Sequence, residues 1–453
     1  MLGRRPQEQQ ELWVATTDLV RGPGHALYEK LNELLAEAGF DRWVEDLCEP
    51  YYATVGRSGI PPGVYFRMIL AGYFEGISAQ RAIAWRCADS LSLKSFLGFG
   101  PTAETPHHSS LTNCHQRLPL EVHEEVFQFV LGLAAEKKLL KGLRVGVDAT
   151  TLEANAALKS LVRRDTLEDY SEYLRRLAAE QGVTIESDDD LRRFDQQRKG
   201  KSLKNDEWVS ESDPEARITQ MKDGPTHLAY KAEHTVDLDT DIVVAVQIAP
   251  GDTGDTTTLP VSLETAEMNL LLAGADHEIR EVATDKGYHK AELIHDQTLL
   301  GRRTYIREPR RRGRRKWLDK PVGDQPAVSA NRRRMRGAHG KALHKKRSEL
   351  CERSFAHVCE TGGARRCWLR GLVTVTKRYL FQVAARNLSV ILRNLFGIGT
   401  PRGLNGLAGF VSFLQLAWSP LQTILGRQSQ VQRLTLQTIT DPSRLPVVLQ
   451  LAQ

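Results

Sequence analysis

The six cysteines of this 453-residue chain include no CxxC pair. Cysteines so sparse in a chain so large do not make a disulfide framework, so a reducing compartment is expected. The opening MLGRRPQEQQELW lacks the apolar core that a signal peptide needs. The most apolar segment, YLFQVAARNLSVILRNLFGIG, is interrupted by Arg386 and Arg393 and is short for a membrane span. These absences predict a soluble cytoplasmic protein without a membrane partner. There is also no internal repeat, so domain organisation has to be read from changes in texture along the chain.

Acidic residues are scarce in one place. The net charge is only +6, but between Arg302 and Arg347 roughly eighteen Lys and Arg face three acids, Glu308, Asp319 and Asp324. A local imbalance of this kind points to a polyanionic partner.

Up to Gly142 the texture is helical. PPGVYFRMILAGYFEG opens with proline and closes at Gly76, as helices do. ISAQRAIAWRCADS follows with Ser78 as the expected N-cap, and SSLTNCHQRL makes a further short helix. EVHEEVFQFVLGLAAEKKLLKG carries Val122, Val126, Phe127, Val130 and Leu131 on one face, and is expected to run to Gly142. Short helices of this sort form either a helix-turn-helix reader of DNA or a plain helical bundle. The residues themselves favour the bundle, because Arg81 and Arg86 are the one obvious basic pair on the second helix.

From Leu143 the period changes from helix to strand. LRVGVDATTLEA alternates Leu143, Val145 and Val147 against Arg144, Gly146 and Asp148. A polar stretch of about 162–224 looks inserted, as solvated helices or as an excursion. Strands resume with LAYKAEHTVDL, the turn DTD, and IVVAVQIA. Then come a helix ending at Gly274, the strand EIREVATD, a short helix, the strand RRTYIRE, the basic run, and the helix SELCERSFAHVCE. Strands that begin as hairpins and then alternate with helices predict a mixed sheet flanked by helices.

Three carboxylates stand at telling places in that order: Asp148 on the first strand, Asp285 at the end of the fourth, and Glu352 on the late helix. If the first and fourth strands are neighbours, the three converge. Converging carboxylates repel and raise each other's pKa unless a cation neutralises them, and hard oxygen ligands suit Mg²⁺ or Mn²⁺. Two such ions about 3.5–4 Å apart stabilise the attacking and leaving oxygens of a phosphoryl displacement. Arginines beside such a site would hold a nucleic-acid backbone.

VDATTLEANAALKSLVRRDT, ATDKGYHKAEL and ELCERSFAHVCETGG resemble the three signature blocks of the DDE transposases of bacterial insertion sequences. Residues 51–118 resemble the helical domain that often precedes that core. The resemblance covers about residues 25–398. It implies an α/β (mixed) ribonuclease-H-like catalytic core preceded by an all-helical DNA-binding domain. It further implies that Asp148, Asp285 and Glu352 are the catalytic triad and hold Mg²⁺ or Mn²⁺, as two ions. The implied activity is cleavage of element-end DNA, then attack of the freed 3′-hydroxyl on target DNA. The implied partners are terminal inverted repeats, target DNA, and a second copy in a synaptic homodimer, which would associate with the nucleoid.

Where many relatives carry Tyr, Arg and Lys around the glutamate, this chain has Lys345, Ser348 and Cys359, with Arg347 and Arg353 nearby. The expected DNA contacts are Arg310, Arg311, Arg312, Arg314, Arg315, Lys316, Arg332, Arg333, Arg334, Arg336, Arg347 and Arg353. The expected division is an extension at 1–24, helical domain 25–142, core 143–398 with its basic segment about 302–347, and tail 399–453.

Other acids compete for these roles. Glu349 shares a helix face with Glu352, and the resemblance, not position, selects Glu352. Asp237, Asp239, Asp241, Asp252 and Asp255 read as turn and cap residues, with Asp255 the strongest rival. His339, His344 and His357 with Cys351, Cys359 and Cys367 fit no zinc-finger spacing. Two other readings of the whole remain: a ribonuclease-H-like nuclease that does not rejoin DNA, and an inactive DNA-binding relative. A glycosidase is disfavoured by the lack of aromatic platforms near the acids.

Overall fold

The computed structural model describes residues 25–53, 55–56, 59–199, 203–221, 224–310 and 317–401. Expectations on residues 1–24, on Arg311, Arg312, Arg314, Arg315 and Lys316, and on the tail from 402 lie outside the described residues.

The first part is helical: α1 (Ala26–Glu37), α2 (Phe40–Cys48), α3 (Pro62–Glu75), α4 (Gln80–Asp89), α5 (Leu91–Phe96), α6 (His108–Arg117) and α7 (Leu120–Glu136). Helix α3 is the central one, with twelve of its fourteen residues buried. It stops at Gly76, whose φ of 72° is a left-handed conformation that glycine adopts without strain. Ser78 does not cap α4, which starts one residue later than a Ser78 cap would require. Its carbonyl instead accepts from Arg378 at 2.8 Å. Helix α7 buries Val122, Val126, Phe127, Val130 and Leu131 but ends at Glu136, short of Gly142.

The sheet follows. Its strands are β1 (Arg144–Glu153), then, beyond the short β2 (Leu161–Arg163), α8 (Tyr170–Glu180), α9 (Asp188–Gln197) and β3 (Trp208–Ser210), the strands β4 (Arg217–Gln220), β5 (Thr226–Asp237) and β6 (Val243–Pro250). Next are α10 (Asp255–Leu272), β7 (Glu281–Thr284), α11 (Ala291–Leu299), β8 (Arg303–Ile306), α12 (Asp324–Arg336), α13 (Ala338–Phe355) and α14 (Leu372–Phe396). Strand β5 pairs antiparallel with β1, β4 and β6, while β1, β7 and β8 run parallel to one another. This is the expected mixed sheet, with the first strand beside the fourth of the main series.

Within the polar insertion, α8 and α9 are solvated helices that each carry a capping box, Asp169 with Glu172 and Ser187 with Asp190. Helix α12, built from part of the basic run, has no counterpart in the sequence reading. Helices α10 and α13 cover opposite faces of the sheet: Glu233 of β5 reaches α10, and its neighbour His234 reaches α13. Helix α14 packs on β6, α3 and α7, so one apolar core runs from Leu27 to Ile398. Among the described residues no helix is long and apolar enough to cross a membrane.

Candidate active site

Asp148 sits mid-strand between buried Val147 and half-buried Ala149, where an unpaired carboxylate would be costly. It is not unpaired. Arg347 of α13 donates from Nη1 to its Oδ2 at 2.8 Å, and the Ala149 N–H donates to Oδ1 at 2.9 Å. Arg347 is itself buried, so its guanidinium serves Asp148 instead of an open surface. Gly146 permits this approach, since a Cβ there would lie 2.8 Å from Arg347 Cγ and 3.2 Å from Cys351 Sγ. Burial first, and then the Asp148 charge, push the Cys351 thiol upward, so it stays protonated and inert.

Asp285 follows directly on β7. In the parallel pairing of β1 and β7, Val147 stands opposite Thr284. Continuing that register by one residue sets Asp285 beside Asp148 on the same face of the sheet. A second observation agrees. His344 of α13, lowered chiefly by burial and then by Arg307 and Arg347, feels Asp285 as the charge that opposes this lowering.

Glu352 is exposed on α13 and accepts from Ser348 Oγ at 2.8 Å. With Asp148, Thr150, Phe355 and Arg365 it lines a cleft of about 410 Å³. Glu349 does not line that cleft and is tied to Arg353. The structure thus separates two glutamates that sequence position could not. Glu360 also faces the cleft, but Arg365 holds it at 3.0 and 2.7 Å. Arg365 further donates to Thr150 Oγ1 at 3.1 Å, which makes it a cation of the cleft wall that the sequence reading missed. Its one signal was the Arg pair in GGARRC.

Helix α13 is held against the sheet by a buried polar seat. His234, directly opposite Asp148 in the β1–β5 register, bonds Ser354 Oγ at 2.8 Å and Tyr379 OH at 2.9 Å. Burial lowers this histidine well below its usual range, so it is neutral, and its ring stacks on Phe355 at 4.1 Å.

The rival acids are occupied elsewhere. Asp237 accepts the backbone N–H groups of Lys141, Gly142 and Asp239 at 2.8, 3.0 and 2.8 Å, closing the join between helical part and sheet. Asp239 pairs with Arg144 at 2.9 Å, Asp241 with Arg386, and Asp252 with Arg217 at 3.9 Å. Asp255 pairs with Lys231 at 2.7 Å.

That last pair belongs to a network beside the Asp285 turn. Tyr288 OH and Thr258 Oγ1 donate to Glu233 Oε2 at 2.7 and 2.6 Å, Ser262 donates to Oε1, and Lys231 Nζ donates to Thr258 at 3.0 Å. Gly287 lets the turn pass this network, because a Cβ there would overlap Asp255 Oδ2. Gly287→Ala is therefore expected to destabilise the fold by about 1–3 kcal/mol, the usual range for overpacking, read from its denaturant midpoint. A midpoint equal to wild type would show that Asp255 yields freely.

The basic residues divide. Arg332 pairs with Glu308 at 2.9 and 3.0 Å, and half-buried Arg334 donates to the Thr304 carbonyl at 3.0 Å. Arg353 lies between Glu349 and Asp241, 3.5 Å from the latter. Arg310, Arg333 and Arg336 are exposed. Of the three departure positions, Lys345 is exposed, Ser348 bonds Glu352, and Cys359 is buried beside Tyr379.

Among the described residues no three His, Cys, Asp or Glu side chains stand close enough to share one ion. The donor chemistry of the candidate triad is nonetheless that of a hard divalent cation: carboxylate oxygens alone, on one face of the sheet.

Two family models match the chain, a transposase domain (DUF772) over residues 16–117 and a transposase DDE domain over residues 188–388. Asp285 and Glu352 fall inside the second span, whereas Asp148 precedes it. No curated protein and no solved structure matches.

Proposed function

We infer the chemistry from a membership: the chain belongs to the DDE transposases of insertion sequences. Its substrate class is accordingly DNA. In the proposed reaction it cuts the ends of its element by hydrolysing a phosphodiester bond and joins the freed 3′-hydroxyl to target DNA. What supports this reading is the parallel register that puts Asp285 next in line beside Asp148, under the helix that carries Glu352.

Asp148, Asp285 and Glu352 would hold the divalent ions, Mg²⁺ or Mn²⁺. When bound, such ions lower the pKa of a nucleophilic oxygen and neutralise charge on the leaving one. The chain's own part is to orient and to balance charge. Arg347 holds the Asp148 carboxylate to one rotamer, Ser348 does the same for Glu352, and Arg365 offers a cation to a phosphate in the cleft. The exposed Arg310, Arg333 and Arg336 would track the backbone further out, and a homodimer would bring two ends together.

The test is a joining assay. A plasmid carrying the DNA that flanks the gene supplies the ends, and a pre-cut copy with a free 3′-hydroxyl supplies the second step. Joined product from the pre-cut end supports transposition. Cutting without joining would leave a nuclease. For the backbone contacts, replacing Arg333 and Arg336 by Ala is expected to flatten the slope of log affinity against log salt by about 1.8, at about 0.9 per phosphate contact. An unchanged slope sinks that assignment.

A further inference from the structure

Strand β5 carries Lys231 and Glu233 on the face turned to α10, and both are buried, at 5% and 1% exposure. Buried charges of this kind rarely earn their place by stability, since apolar replacements of similar volume are often neutral or stabilising. Their partners point to another role. Glu233 receives hydroxyls from α10 on one side and the Tyr288 phenol on the other, while Lys231 bonds Asp255 at 2.7 Å and Thr258 at 3.0 Å. Tyr288 is the last residue of the single 3₁₀ turn Lys286–Tyr288, and Asp285 is the residue that caps it.

Lys286 and Gly287 are exposed, whereas Tyr288 is 1% exposed, and its hydroxyl reaches past β1 to Glu233 of β5. The Tyr288 N–H bonds the Asp285 carbonyl at 3.3 Å, so a shift of the ring is passed on to the backbone of Asp285. Opposite, Asp255 fills the space where a side chain at 287 would stand.

We propose that Tyr288 and Glu233, braced by Lys231, Thr258 and Asp255, are positioning residues that aim the Asp285 carboxylate at the metal it shares with Asp148. The proposal rests on the functional reading above and deepens it. Tyr288 and Glu233 touch neither substrate nor metal. They act through the turn, as the outer partners of metal ligands commonly do.

The experiment titrates Mn²⁺ into the full-length chain, following free Mn²⁺ by electron paramagnetic resonance, with no DNA present. Asp148→Asn and Asp285→Asn are titrated first, and Tyr288→Phe is then compared with Tyr28→Phe. Each of those two changes removes one tyrosine hydroxyl from a glutamate, but Tyr28 bonds Glu75 at 2.7 Å in the helical part. Tyr288→Phe is expected to weaken Mn²⁺ binding about tenfold with unaltered binding to plasmid DNA, and Tyr28→Phe to leave Mn²⁺ affinity at the wild-type value. Equal affinities for Tyr288→Phe and wild type overturn the proposal, as does an equal weakening by Tyr28→Phe. If Tyr288→Phe does not keep its fold, Thr258→Val, which removes the hydroxyl that accepts from Lys231 and donates to Glu233, is judged by the same two criteria. If Asp148→Asn and Asp285→Asn bind Mn²⁺ as wild type does, the functional reading itself fails and takes this proposal with it. If they lose Mn²⁺ and Tyr288→Phe does not, the positioning role alone is wrong.

Discussion

Asp148→Asn is expected to cut Mg²⁺-dependent cleavage of a plasmid carrying the gene's flanking DNA by at least about a thousandfold, or about 4 kcal/mol of transition-state stabilisation. The substitution is nearly isosteric, so the loss would come from charge. The Asn oxygen can keep one of the two bonds that hold Asp148 in place, from Arg347 to Oδ2 or from the Ala149 N–H to Oδ1, while its amide NH₂ loses the other. Folding is expected to survive the loss of that one bond, with circular dichroism and DNA binding close to wild type. What disappears is the negative charge that a divalent cation needs and that offsets the buried guanidinium. Because Asp148 lies ahead of the span matched by the DDE domain, this variant also tests the strand-pairing argument by itself. Cleavage at the wild-type rate would remove Asp148 from the site.

Much of this geometry was legible in the sequence because it rests on local pattern. The alternation in β1, the Pro62 start and Gly76 stop of α3, and the long apolar face of α14 are all periodic signals carried by consecutive residues. The adjacency of β1 and β7 stood in the sequence only as the condition for the three acids to converge, and the parallel pairing meets it; Asp148 stood out through the cost of a bare acid in a strand. Helix α12 escaped because its arginines mask its apolar positions, Ala327 and Val328, and read as a charge run.

The buried polar groups were harder still. Tyr288 meets Glu233 across 55 residues, Ser354 meets His234 across 120, and Arg347 meets Asp148 across 199. No period connects such partners, because the fold alone brings them together. One signal was present all the same. The strand LAYKAEHTVDL places Lys231, Glu233 and His234 within four positions, so charged or titratable groups fall on both faces. In a strand covered by helices on both sides, neither face meets water, so each such group must find a buried partner.

The glutamate can be assigned by contrast. Glu352→Gln is expected to lose cleavage by at least about a thousandfold, whereas Glu349→Gln should stay within about threefold of wild type. Both residues lie on one face of α13 and differ by a single turn, so helix position predicts equal effects. Their surroundings do not. Glu349 is partly spent on Arg353, an exposed i,i+4 pair of the kind that contributes little to stability or to anything beyond it. Glu352 opens on the cleft with Asp148, its one bond among the described residues being from Ser348, which is compatible with a ligand role. Glu360→Gln is the sharper control because Glu360 lines the same cleft. Its carboxylate holds Arg365, so its loss should lower DNA affinity or cleavage by a modest factor without abolishing turnover. The discriminating measurement is single-turnover cleavage at saturating Mg²⁺. A collapse in Glu349→Gln or Glu360→Gln with activity retained in Glu352→Gln would move the third carboxylate to another residue, and with it the path that DNA takes across α13.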